Sequence, residues 1–308
     1  MLKQVIEMMD LLDDAHITGD RVAAFLKEHG LKEIEVKKIT GEKGSTDFIK
    51  IKIPGTSGKS CGGAAPTLGV IGRLGGLGAR PEQIGLVSDS DGAVTALSVA
   101  LKLADMQRKG DHLPGDIIVA THICPDAPIK PHEPVPFMGS PVDTEAMNRE
   151  EVDPEMDALL SIDTTKGNRV ANWRGFAITP TVKEGWVLKV SDHLLDIMEW
   201  VTGELPKVCP ITTQDITPYG NDLDHINSIM QPCIATNSPV VGLAITTQVP
   251  VPGCATGASH PLDIEQATRY TIEVAKQYGK GLCSFYDVDE WSTILRLYGA
   301  HKHLQAMG

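Results

Sequence analysis

Two carboxylates, Asp89 and Asp91, lie where the sequence predicts that a strand gives way to a helix. The apolar run 84–87 predicts a buried strand, and apolar residues recur at helical spacing over 93–104. Ligands of open α/β sheets bind at the carboxyl ends of the strands, so acids at this junction can face a site. A helix N-cap explains one such acid, but this segment has two. The pair is therefore a candidate for binding or acid–base chemistry.

Side chains able to bind a metal or move a proton also follow three other predicted strands. Carboxylate and imidazole groups are ligands for zinc, manganese and similar divalent ions, and a pair of ions can share a bridging carboxylate. If the strands are parallel, all of these side chains lie on one side of the sheet, which predicts a polar or metal-binding cleft. One Asp or His alone would more often be a cap or a core residue. The residues are His122 and Asp126 after the strand 117–121, Asp163 after 158–162, and His260 beyond 240–245.

A polar loop at 212–227 could recognise a polar substrate or stabilise a developing oxyanion. The alternative is a turn-rich connection whose Asx side chains bond to their own backbone. The candidate substrate-binding residues in this loop are Gln214, Asp215, Tyr219, Asn221 and His225.

The elements that must position these residues alternate between strands and helices, which predicts an α/β fold with a mixed, mostly parallel sheet sandwiched by helices. Two alternating runs at 33–39 and 47–53 predict paired strands, and a hairpin at 175–190 predicts antiparallel strands at one edge. Helical periodicity occurs at 17–30, 192–202 and 262–278. We expect residues 1–308 to form a single domain.

The segment 127–141 has no periodicity and contains five prolines. Long ordered loops of this kind are uncommon in compact domains and often act as lids or binding loops. Because this segment directly follows the predicted strand that carries His122 and Asp126, we expect a lid over the cleft. The alternative is a proline-stiffened excursion on the surface.

Composition limits the partners and the location of the protein. The 308-residue chain has a formal net charge of −12, which disfavours nucleic acid and anionic membranes as partners. No apolar run approaches the roughly 20 residues that span a bilayer, and acids near the N-terminus argue against a signal peptide. Six cysteines lack CxxC pairs, which argues against a disulfide framework or a structural zinc site. We expect a cytoplasmic protein whose partner is a small molecule or a peptide.

The order of these segments resembles that of the co-catalytic metallo-aminopeptidases, in particular the glutamyl and deblocking aminopeptidases and their zinc carboxypeptidase relatives. The resemblance runs nearly end to end and implies a phosphorylase/aminopeptidase-like fold. In that family a bridging Asp precedes a helix whose start is similar to GAVTAL at 92–97, and this points to Asp89. The resemblance also implies that Asp163 and His260 are metal ligands.

Two positions depart from the pattern of that family. Where the family has its first histidine ligand, the segment GVIGR at 69–73 ends in Arg73, which cannot ligate a metal. Its guanidinium would take the place of one cation and leave room for a single divalent ion per subunit, or would clamp a substrate carboxylate. Where the family has two glutamates, the segment ATHICPD at 120–126 offers His122 and Asp126, one as a ligand and the other as the general base.

Four phrases resemble a bacterial and archaeal family of unknown function more closely. That likeness carries no chemistry of its own. The phrases are GSTDFIK at 44–50, ATHICPDAP at 120–128, DTTKGN at 163–168 and TQDITPYGN at 213–221.

We therefore predict a metal-dependent hydrolase that acts on a small peptide or amide substrate and assembles as a homo-oligomer. The alternative, motivated by Arg73 and the absent glutamates, is a non-catalytic protein that binds a peptide or small molecule on a degenerate aminopeptidase fold. The predicted ligands for zinc, manganese or cobalt are drawn from Asp89, Asp91, His122, Asp126, Asp163 and His260.

Overall fold

A nine-stranded sheet flanked by helices forms the fold, in a computed structural model that describes residues 1–73, 75–131, 137–223, 228–251, 257 and 259–306. The predicted mixed α/β architecture is confirmed. The described helices are α1 (Leu2–Leu12), α2 (Gly19–Glu28), α3 (Asp91–Arg108), α4 (Thr144–Glu151), α5 (Asp192–Thr202), α6 (Pro261–Gly279) and α7 (Val288–Tyr298). The described strands are β1 (Glu33–Gly41), β2 (Gly44–Ile53), β3 (Leu68–Gly72), β4 (Ile117–Ile123), β5 (Ile129–Lys130), β6 (Phe137–Met138), β7 (Ala158–Thr164), β8 (Gly175–Ile178), β9 (Val182–Lys183), β10 (Trp186–Val187) and β11 (Val240–Thr246).

The sheet is parallel at its centre and antiparallel at both edges. Strands β4, β3, β7 and β11 lie side by side in that order and all run in the same direction. The predicted hairpin of β1 and β2 pairs antiparallel to β4 at one edge, while β8, β9 and β10 add antiparallel pairs beyond β11. The carboxyl ends of the four central strands therefore meet at one edge of the sheet, where the sequence predicts a cleft.

Alternate residues of each central strand pack on opposite faces of the sheet. In β11, Val241, Leu243 and Ile245 enter the larger hydrophobic core, whereas Val240 and Ala244 enter a second, smaller one. Strands covered on both faces need apolar residues at almost every position, so they appear in the sequence as short continuous apolar runs. Helix α3 lies in the larger core and is buried along most of its length, which explains why its apolar residues extend around the helix.

The predicted strand at 84–87 does not form, and this prediction is wrong. Ile84 is 96% exposed, and Gly85 adopts a left-handed conformation with φ of 83°, which is incompatible with a strand. The place in the sheet beside β4 and β7 is taken by β3, whose five residues are all buried. The chain then crosses to a short 3-10 turn at Ser88–Ser90, which leads directly into α3.

The proline-rich segment at 127–141 begins and ends in a small hairpin. Strands β5 and β6 pair antiparallel, with Ile129 opposite Met138. Residues 132–136 lie outside the described residues, so the lid over the cleft stays a prediction. In the described part of the chain, none of the helices combines the length and the apolar character needed to cross a membrane.

Candidate functional site

The start of α3 is held against the carboxyl ends of β3 and β7 by a close backbone approach. At Gly92, an added Cβ would lie 2.5 Å from the carbonyl oxygen of Ile162 and 2.8 Å from that of Arg73. Only glycine fits this position, because atoms under 3.0 Å apart would force the backbones to separate. The Thr164 hydroxyl also donates to the Ser88 carbonyl at 2.8 Å. These contacts bring the acids before α3 and the acid at the end of β7 into one site.

Asp89, Asp91 and Asp163 form what we call the carboxylate cluster. Both oxygens of Asp91 are engaged, since Oδ1 accepts a 2.5 Å hydrogen bond from Ser259 Oγ and Oδ2 lies 3.3 Å from Lys166 Nζ. The Asp163 carboxylate accepts from the Thr164 backbone N–H at 2.7 Å and from Ser228 Oγ at 3.1 Å. Among the described residues, nothing donates a hydrogen bond to the Asp89 carboxylate.

Burial and mutual repulsion raise the pKa values of the three acids in this cluster. Burial raises the pKa of Asp163 to about 7, and the neighbouring charge of Asp89 adds to the rise. Burial also raises the pKa of Asp89 to about 6, with a further contribution from Asp91 and an opposing one from Lys166. The pKa of Asp91 is raised by burial as well, although Lys166 and Ser259 oppose the rise. Two acids of the cluster therefore titrate near neutral pH, where acid–base chemistry is most effective.

A second buried network lies at the ends of β3 and β4. Arg73 Nη1 lies 2.7 Å from Glu151 Oε2, and both side chains are almost fully buried. The other oxygen of Glu151 bonds to His122 Nδ1 at 2.8 Å, and the backbone N–H of Gly75 donates to His122 Nε2 at 3.1 Å. Burial alone would raise the pKa of Glu151, but the Arg73 charge and the His122 hydrogen bond outweigh it and lower that pKa below its usual value.

This network leaves no free ring nitrogen on His122 for the predicted roles as metal ligand or general base. Because a backbone N–H can only donate, Nε2 of His122 must accept, and Nδ1 then carries the proton that is donated to Glu151. Arg73 is held by Glu151 rather than by a surface acid, and it is too buried to clamp a substrate directly. Its charge still acts on Asp163, where it opposes the rise in pKa that burial and Asp89 cause.

The remaining predicted ligands are only partly brought together. Asp126 is exposed, and its carboxylate lies 3.8 Å from Cys124 Sγ rather than at the carboxylate cluster. His260 is the N-cap residue of α6 and is exposed, and it lies close enough to Asp91 to interact with it electrostatically. Within the described ranges, no three His, Cys, Asp or Glu side chains are grouped closely enough to hold a metal. Asp126 therefore lies apart from the carboxylate cluster, and His122 is bonded within the second network.

The polar loop at 212–227 contributes one side chain near the cluster. Tyr219 is 38% exposed, and burial raises the pKa of its phenol, with Ser228 opposing the rise and Asp163 adding to it. Its phenol therefore lies beside the cluster. Asp215 is buried and accepts hydrogen bonds from the Thr212 backbone and hydroxyl at 2.7 and 3.0 Å, which is a capping role. Gln214 and Asn221 are exposed, and His225 lies outside the described residues.

Four residues of the two networks were not among the sequence predictions. Two of them could have been found from the sequence, because they lie close to predicted site residues. Lys166 follows Asp163 by three residues, and Ser259 directly precedes His260. No feature of the sequence predicted Ser228 or Glu151, since each contacts its partner only after distant segments pack together. Those contacts connect Ser228 to Asp163 and Glu151 to Arg73 and His122.

The fold and the site define a mixed α/β protein with a carboxylate cluster at the carboxyl ends of its parallel strands. Residues 37–308 match the sequence profile of a family described as "Protein of unknown function (DUF1177)", and the chain belongs to that family. No curated protein matches the chain. The predicted membership of a family of unknown function is confirmed, and the family assigns no chemistry to the cluster.

Proposed function

We propose that this protein is a hydrolase of small peptides or amides that uses one divalent cation held by Asp89 and Asp163. The observation that carries the proposal is the pairing of these two acids, whose pKa values are raised toward neutrality at the end of a parallel sheet. A cation between them would offset the repulsion that contributes to the raised pKa of Asp163. Strand ends of this kind are where open α/β sheets bind ligands.

The donor set suits such a cation. Asp89 accepts no hydrogen bond from the described residues, and the buried hydroxyl of Ser90 beside it likewise has no described partner. Carboxylate oxygens with water are the ligands that manganese prefers, whereas zinc usually takes three or four nitrogen, sulfur or oxygen ligands from the protein. Of the predicted metals, manganese therefore fits this pair of acids best.

A divalent cation at this position would polarise the scissile carbonyl and lower the pKa of a bound water. The protein would supply the remaining functions. Tyr219, exposed at the edge of the cluster, would contact the substrate, and Ser228 would hold Asp163 in place through its 3.1 Å hydrogen bond. His260 in its neutral form would accept the proton, because it is exposed beside Asp91 and, unlike His122, receives no hydrogen bond from the described residues at either ring nitrogen.

A matched set of substitutions tests the proposal. A panel of dipeptides and N-acyl amino acids would be assayed with Mn²⁺, Zn²⁺ and Co²⁺, with and without a chelator. Asp89→Asn and Asp163→Asn should each lower turnover by about 10²-fold or more, since each removes a charged group from the reacting site. Asp126→Asn is the control, because that exposed acid lies outside the cluster. Equal losses in all three variants, or turnover unaffected by chelator, would reject this assignment.

A second candidate, a non-catalytic protein that binds a peptide or small molecule, is favoured by the Arg73–Glu151–His122 network. Glu151, at the end of α4, bonds to both Arg73 and His122, which stand where the aminopeptidase resemblance implies a histidine ligand and two glutamates. Saturable binding of a dipeptide without turnover, in the presence of each cation, would support this candidate over the hydrolase.

A further inference from the structure

Helix α7 lies at the surface with one apolar face uncovered. None of the other described helices and strands packs closely along it, and Trp291, which is 6% exposed, is the only buried residue of the helix. Val288 and Leu295 are 60% and 37% exposed, and Tyr298, one turn after Leu295, is 68% exposed. A helix of 11 residues is only marginally stable by itself in water, so α7 needs the packing of an apolar face for its stability.

The charge beside this face changes sign along the helix. Val288, Ser292 and Leu295 follow one another at i, i+4 and i+7, so they lie on the same face of α7. Asp289 and Arg296 are also seven residues apart and lie along one flank of that face, with the acid near the start of the helix and the base near its end. Both side chains are exposed, and neither forms an ion pair with another described residue.

A second copy of α7 that runs antiparallel complements this pattern at both ends. Asp289 then faces Arg296 of the partner subunit, and a two-fold axis repeats the contact. Val288 meets the partner's Leu295 in the same way, while the small side chain of Ser292 lets the two helices approach near the axis. Seven residues span about 10 Å of helix, so both ion pairs form when the helices cross near Ser292. A parallel copy would instead bring like charges together.

We propose that α7 is the contact surface of a homodimer, in which two copies of the helix pack antiparallel across a two-fold axis. The inference is independent of the proposed function, because it uses none of the residues of the carboxylate cluster. A helix of 11 residues is about 16 Å long, so this contact is small beside a standard interface of about 1,600 Å². The dimer should therefore dissociate on dilution.

Sedimentation velocity of the full chain over a dilution series tests the proposal. The wild type should have twice the 33.1 kDa mass of the chain at high concentration and approach the mass of one chain on dilution. Leu295→Asp should be monomeric throughout, because it buries an unpaired charge in the apolar centre of the contact. Leu205→Asp is the matched control, since Leu205 is 83% exposed on the loop after α5, and this variant should dimerise like the wild type.

A charge exchange tests the antiparallel direction of the helices. Asp289→Lys and Arg296→Glu should each raise the dissociation constant by about tenfold or more, because each places like charges opposite one another at both ends of the contact. The double variant Asp289→Lys/Arg296→Glu again has opposite charges at both ends and should recover most of the lost affinity. Circular dichroism of each variant shows whether it folds like the wild type.

Three results would overturn the proposal. The first is a wild type that stays monomeric at the highest concentration. The second is a dimer that survives Leu295→Asp, since its contact would then lie on another surface. The third is a double variant that dimerises no more tightly than the two single charge variants, since the antiparallel ion pairs would then be absent. If Leu295→Asp fails to fold, the charge variants decide, because both side chains that they change are exposed.

Discussion

Replacing Arg73 by Met should destabilise the fold strongly, and divalent cations should not restore the loss. Arg73 and Glu151 are 1% and 0% exposed, and the guanidinium lies 2.7 Å from the carboxylate. Met preserves much of the side-chain volume but removes the charge, which leaves the Glu151 carboxylate buried without its cation. Breaking a buried ion pair in this way costs about 3–5 kcal/mol of the free energy of unfolding.

The expected failure of cations to rescue this variant follows from the geometry of Glu151. One of its oxygens faces Arg73, and the other is bonded to His122, whose second ring nitrogen is bonded to Gly75. The carboxylate is therefore enclosed by protein groups, with no open position for a hydrated ion. The sequence-based hypothesis that Arg73 replaces a metal at the carboxylate cluster predicts the opposite, namely rescue by divalent ions.

Urea denaturation near pH 7, followed by circular dichroism with and without Mn²⁺, measures the effect. Glu151→Leu and the double variant Arg73→Met/Glu151→Leu complete a double-mutant cycle. The double variant should lose less stability than the two single losses combined, because it leaves no unpaired buried charge. Arg21→Met is the control, since Arg21 forms an exposed ion pair with Asp14 and should lose about 1 kcal/mol or less.

Two results would refute this reasoning. The first is a loss for Arg73→Met no larger than that of Arg21→Met, which would mean that the buried pair contributes little. The second is selective recovery of Arg73→Met by Mn²⁺, which would show that its charge acts at the carboxylate cluster and that Glu151 is a minor partner.

Three further predictions concern the carboxylate cluster. The pKa of Asp163 is about 7 in the folded chain but about 4 when unfolded. Its contribution to the free energy of unfolding is therefore complete below about pH 4 and is lost as pH rises through about 7. The urea midpoint of the metal-free protein should fall over this range, and Asp163→Asn should make the midpoint less dependent on pH. Gly92→Ala should cost about 1–3 kcal/mol, because its Cβ would lie 2.5 Å from the Ile162 carbonyl oxygen; an unchanged thermal midpoint would contradict the close approach. His260→Ala should abolish turnover without lowering the Mn²⁺ content, and a variant that lost its bound ion would make His260 a ligand instead.

Local patterns in the sequence predicted most of the elements that position the site. The paired strands β1 and β2, the buried strands β4, β7 and β11, and the helices α5 and α6 form where alternation or helical spacing occurs. These patterns are informative because burial repeats with the period of the backbone, every second residue in a strand and about every 3.6 residues in a helix. The prediction of a strand at 84–87 was wrong because a short apolar segment has no periodicity that distinguishes a strand from other structures. Gly85 also turns the chain away from the sheet.

Asp163 lies at the carboxyl end of a parallel strand, as its place in the sequence predicted. Asp89 reaches the same edge of the sheet by another route, through the 3-10 turn before α3, because the strand predicted at 84–87 does not form. Which side chains pair within that edge was decided only by the tertiary structure. Arg73 meets Glu151 across 78 residues, and Lys166 meets Asp91 across 75. Such contacts depend on the position and direction of whole elements after they pack, so no local periodicity in the sequence predicts them. The same packing leaves His122 without a free ring nitrogen, because Gly75 donates to one nitrogen and Glu151 bonds to the other.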